Sequence, residues 1–152
     1  MNKPRIKEII ENIEEILEIE NKDFKYVLNI YYEYIKKKLE NNEFNSYASE
    51  NCIELFSCNF WLLEKNSKGL MTSDEIISEK VRLINLKEKS EENFSNLIQL
   101  LLTGLATKEG MLNYSNYEEY LSVDMLEISV VSLRNFNIKF AEDFLIFCKT
   151  HK

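Results

Sequence analysis

Three glycines and one proline serve a chain of 152 residues. Sandwiches and barrels need a tight turn every few residues, and those turns draw on glycine and proline. A chain this poor in both is driven toward helices joined by short polar loops. Hydrophobic residues make up 45% of the sequence and charged residues 30%. That is enough apolar matter for a core and enough charge for a solvated exterior. The length suits one all-α domain over residues 1–152.

Apolar periodicity then divides the chain into about seven helices. The first reads from about Pro4 to Glu20, with proline in the first turn, where its missing N–H costs nothing. Ile6, Ile9, Ile10, Ile13, Ile16 and Leu17 fall on one stripe at helical spacing. The second helix runs from about Asp23 to Glu40 and holds the run "IYYEYIKKK". Three tyrosines beside three lysines raise the question of a nucleic-acid platform. Helical projection separates them, with Tyr31 and Tyr34 inward beside Phe24 and Ile35, and Lys36 and Lys37 outward. Lys38 lies near the edge of the apolar face, where a lysine can snorkel.

A third helix is expected from about Tyr47 to Lys65, burying Ala48, Cys52, Leu55, Phe56, Asn59, Phe60, Leu62 and Leu63. Trp61 falls on a different face of it, and Gly69 terminates the segment. "TSDE" from Thr72 is a capping box that opens a fourth helix to about Lys89. Ser90 caps a fifth, whose stripe includes Leu97, Leu101 and Leu105. Gly104 in that stripe costs about 1 kcal/mol relative to alanine, which suggests a close helix approach there. A second capping box, "SNYE" from Ser115, opens a helix from Asn116 to Arg134. The last helix, about Ile138 to Thr150, buries Ala141, Phe144, Leu145 and Cys148. The pattern predicts an irregular helical bundle. Helix starts near Arg5, Ala48 and Glu91 are evenly spaced, within the roughly 40–47 residues of HEAT-type helical hairpins, which are the alternative.

The chemistry available is narrow. The net charge of −7 argues against sequence-independent nucleic-acid binding and against anionic membranes. The most apolar stretch, Leu97 to Ala106, is too short to span a bilayer. The start "MNKPRIKEII" lacks the apolar core of a signal peptide. Three cysteines do not make a disulfide framework, so a cytoplasmic protein with reduced thiols is expected. Abundant isoleucine, lysine and asparagine against three alanines suggest an AT-rich, bacterial source. The single histidine, His151, sits at the chain end, where a positioned imidazole is hard to maintain. Cys148 and His151 are two ligands, too few for structural zinc. No phosphate loop and no CxxC occur. No catalytic residue, cofactor or metal is expected.

The stretch "NYSNYEEYLSVD", Asn113 to Asp124, stands out by interleaving tyrosines with acids. Aromatic anchors carry binding energy at protein interfaces, and carboxylates steer basic partners. Tyr117, Glu118, Glu119, Tyr120 and Asp124 are the candidate partner-binding residues, with Trp61 as a further anchor. In size, acidity, lack of catalytic groups and this Tyr/acid stretch, the chain resembles the small acidic all-α immunity and inhibitor proteins of bacteria. The resemblance implies a non-enzymatic inhibitor that occludes the basic active site of a toxin or nuclease-like effector. Anti-phage or anti-CRISPR-type inhibitors share the same features. An oligomerising scaffold or adaptor, joined through the isoleucine stripe of the first helix, is the alternative. An enzyme using a carboxylate pocket is a third reading.

Overall fold

Apolar residues at three- and four-residue spacing fix where the helices form and which side of each is buried. In the computed structural model, residues 2–113 and 118–151 are described, with side chains from Arg5 onward. About 80% of the described residues are helical, and no strand occurs among them. The fold is all-α. Its contacts group into two compact units, one of residues 1–31 and 106–152, the other of residues 32–105.

The first unit is built on three helices. In α1 (Asn2–Leu17), Ile6, Ile9, Ile13 and Leu17 are buried. They pack against α8 (Leu121–Phe136) and α9 (Ile138–Lys149), which also pack on each other. From α9 come Ala141, Phe144, Leu145 and Cys148, as periodicity predicts. The β-branched run Ile128 to Val131 is helical within α8. Asn137 ends α8 and caps α9, its side chain accepting from the Lys139 N–H at 2.9 Å. After α1 the chain turns through Glu18, which sits in the left-handed region at φ 50°, into a short 3-10 turn, Ile19–Asn21. The Ser122 hydroxyl of α8 donates to the Ile19 carbonyl at 2.9 Å and ties that turn down. The unit also holds the first part of α2 (Phe24–Glu40), the short α7 (Lys108–Leu112) and a second 3-10 turn, Glu118–Tyr120.

The second unit begins at Tyr32, within α2. Tyr34 and Ile35 are fully buried while Lys36 and Lys37 are exposed. Lys38 is buried too. Its ammonium lies over the Tyr34 ring at 5.3 Å and donates to Glu43 at 3.1 Å. Asn42, at φ 57°, ends α2 in the left-handed conformation asparagine tolerates. The expected third helix is in fact two, α3 (Glu50–Asn59) and α4 (Trp61–Ser67), separated at Phe60. Asn59 accounts for the break. Its side-chain amide donates to the Leu55 carbonyl at 2.8 Å, and the Phe60 N–H tightens onto Ser57 at 3.2 Å. This split, together with α7, raises the count of α-helices among the described residues to nine. The helices starting at Asn2, Glu50 and Glu92 are 16, 10 and 13 residues long, so they do not copy one repeat.

Helix α6 (Glu92–Gly104) is the centre of this unit, packed by α3, α4 and α5 (Ser73–Glu88). Gly104 permits the approach of α4, since a Cβ there would lie 2.2 Å from the Leu63 Cγ. The Asn66 side chain donates to the Gly104 carbonyl at 2.9 Å across the same contact. Gly69, at φ 70°, ends α4 with the Leu70 N–H donating back to Lys65 and its own N–H to Asn66. Thr72 and Glu75 form the predicted capping box of α5. Ser90 does not cap α6. Its hydroxyl donates to Leu86 at the end of α5, and Glu91 occupies the capping position without a side-chain bond.

Candidate functional site

The Tyr/acid stretch comes first because sequence singled it out. Tyr117 and the expected cap Ser115 lie outside the described residues. Glu118, Glu119 and Tyr120 form the 3-10 turn before α8 and are all exposed, Tyr120 at 51%. The helix therefore begins at Leu121, after the turn, and Tyr120 makes no side-chain cap. Glu118 is not a free acid. The Lys108 ammonium donates to it, which holds the Glu118 carboxyl below the usual range and the Lys108 amine above its own. Asp124, in the first turn of α8, is only half exposed. Trp61 belongs to the other unit and is 53% exposed at the start of α4.

Asp124 leads to a feature that sequence reasoning missed. One turn along α8, Glu127 has its carboxyl raised by burial and by the charge of Asp124. Glu14 on α1 is raised by burial first, then by Glu127, Glu20 and Glu11. Glu11, Glu14 and Glu127 border a groove of about 480 Å³ between α1 and α8, with Ile6, Ile10 and Val131 as its apolar lining. Lys7 and Arg134 also line it, and Lys7 reaches Glu11 at 3.9 Å. Among the described residues, no ion pair engages Glu14, Asp124 or Glu127. A neighbouring depression is lined by Glu11, Glu14, Glu15, Glu18, Glu20 and Asn21. The sequence held a signal for one wall of it, since five glutamates occur between positions 11 and 20. It held none for the meeting of Glu14 with Glu127, which are far apart in the chain.

Partly buried carboxylates near like charges are pushed toward their neutral form. A cation brought into the groove would reverse that preference, and an apolar strip beside it would accept an aliphatic or aromatic side chain. The arrangement is suited to receiving a basic amphipathic segment. Other chemistry is scarce. Among the described residues, no three His, Cys, Asp or Glu side chains converge as a metal site. His151 packs on the Phe147 ring with centroids 4.6 Å apart. Cys148 is buried, which pushes its thiol up to about 12, and Cys52 is buried while Cys58 is exposed. Among the described residues no helix is long and apolar enough to cross a membrane. No known protein family, curated protein or solved structure matches this chain.

Proposed function

We propose that the chain is a non-enzymatic inhibitor that binds a basic protein partner through the α1/α8 groove. The concrete form is a bacterial cytoplasmic immunity protein that covers the cationic active site of a toxin or nuclease-like effector. The observation carrying this reading is the α1/α8 groove, which Glu14 and Glu127 line together with Ile6, Ile10 and Val131. Two like-charged carboxylates face an apolar strip, and no ion pair of their own engages them. Arginine or lysine of a partner would relieve their repulsion, and the apolar strip would supply contact area. The exposed turn Glu118 to Tyr120 lies just before α8 in the chain and serves as a further contact.

Binding by such a groove has a pH signature. Carboxyls held above their ordinary range release protons when a cation pairs with them, so affinity rises as pH increases through that range. The test uses a lysine-rich amphipathic peptide as probe, and then the effector that co-purifies with the chain from its own cell. Affinity is expected to fall with salt and to be lost in Glu14→Lys with Glu127→Lys, at unchanged helix content. Wild-type affinity in that double variant would remove the groove from the proposal. Loss only on changing Glu119 and Tyr120 would move the contact to the turn.

A further inference from the structure

Helix α5 of the second unit carries an apolar stripe that its own unit leaves uncovered. Ile76 and Leu83 face inward, and α5 packs on α6. Ile77, Val81 and Ile84 point outward at 60%, 53% and 43% exposure. Their spacing of four and then three residues is that of a helix-pairing seam. Beside them a groove of about 560 Å³ between α5 and α6 is lined by Ile84, Leu102 and Gln99, with Lys80 and Lys87 on its rim. Burial lowers the Lys80 amine from its ordinary value, so its stem already lies against protein rather than in water.

The charges of α5 say what would cover this stripe. Asp74, Glu75 and Glu79 occupy its first half, and Lys80, Arg82, Lys87 and Glu88 its second, followed by Lys89, so the halves still differ in sign. Glu75 pairs with Lys65, Glu79 with Arg82, and Lys87 donates to Gln99 at the groove. A parallel partner of the same sequence would set like charge on like. An antiparallel one sets each acidic half beside a basic half, and opposed helix dipoles favour the same orientation. We propose that two copies of this chain associate through α5 in a two-fold antiparallel pair. In the register that puts Ile77 on Ile84 of the second copy, Asp74 faces the second copy's Lys87, and Val81 lies beside the stem of the second copy's Lys80. Two-fold symmetry makes every such contact twice. A single helix pair is a small interface, so the dimer forms in the micromolar range. This inference concerns the second unit and does not depend on the α1/α8 groove.

Sedimentation velocity over micromolar to sub-millimolar chain tests it. The expected result is passage from a species of 18.1 kDa to one of twice that mass. Val81→Asp, an exposed change, should keep the helical circular dichroism and abolish the heavier species. Asp74→Lys and Lys87→Asp should each weaken the dimer about tenfold, since each affects two symmetric contacts. Mixed in equal amounts, these two variants should associate like wild type, because every reversed charge then meets its opposite. A wild-type chain that stays monomeric at sub-millimolar concentration overturns the proposal, as does a dimer that survives Val81→Asp. Failure of the mixture to restore association overturns the antiparallel register.

Discussion

The two units solve the same problem differently. In the first, Ile6, Ile9, Ile13 and Leu17 of α1 are buried against α8 and α9. In the second, α6 is covered on several sides, yet α5 keeps a second stripe in water. Both units expose large apolar residues. Those of the first, Leu112, Tyr120, Ile128 and Ile146, sit on four different elements, whereas Ile77, Val81 and Ile84 share one helix face. Scattered exposure is ordinary, and aligned exposure marks a binding surface. Ile6, Ile9, Ile13 and Leu17 of the α1 stripe are buried within their own unit, whereas the α5 stripe is exposed.

The largest effect that can sharpen this contrast comes from one residue type in both stripes. Ile13→Ala empties a fully buried site in the first unit and should cost about 3 kcal/mol in chemical denaturation. Ile77→Ala, in the exposed stripe, should leave the monomer within about 0.5 kcal/mol of wild type. Equal losses would erase the distinction between the stripes. Gly104→Ala tests the second core from the opposite direction, by overfilling it. Its new Cβ meets the body of Leu63, and about 2 kcal/mol should be lost. Adding Leu63→Ala should make the double variant less damaged than the sum of the two single changes.

A smaller effect belongs to the start of α5. Thr72→Ala removes the hydroxyl that accepts the Glu75 N–H at 3.1 Å and should cost about 1 kcal/mol. Glu75 is also held to about 2, below its ordinary 4.5, by the hydrogen bond from Lys65 at 2.7 Å and by the Thr72 N–H. Its stabilisation is complete above 4.5 and is lost as pH falls through about 2, so Glu75→Gln should flatten the acid limb of a stability–pH curve. The smallest effect has the opposite sign. Glu14 and Glu127 bind protons more tightly in the folded chain than in the unfolded one. Stability falls as pH rises through their raised range, and Glu14→Gln should raise the melting temperature slightly at neutral pH. No such rise would mean that the groove carries no repulsion to relieve.

Periodicity and capping chemistry account for what the sequence made legible. The stripe from Ile6 to Leu17, the inward Tyr31 and Tyr34, the Thr72 capping box and the tight packing at Gly104 are all local signals or direct consequences of them. The break at Phe60 was hidden because the apolar pattern runs through it, from Phe56 to Leu62 and Leu63. What ends α3 is the Asn59 side-chain amide turned back onto the Leu55 carbonyl, which a one-dimensional pattern does not record. Leu55, expected inside, is 41% exposed, since Cys52, Phe56 and Asn59 take the inner face of α3. The acidic character of the surface was legible, and the groove between α1 and α8 was not, because its acids are far apart in the chain. Glu118, Glu119 and Tyr120 are on the surface as expected, with Glu118 paired to Lys108, while Glu14 and Glu127, which no ion pair engages among the described residues, line one groove between α1 and α8.

The placement of the three thiols gives the chain its own clock. Cys58 is exposed in the second unit, Cys52 is buried in that unit, and Cys148 is buried in the first. A thiol reagent should modify Cys58 at once and reach the other two only when their surroundings open. One shared slow rate would mean that the chain opens as a single cooperative body. Two separate rates would time the opening of each unit in the native protein, without denaturant or any substitution.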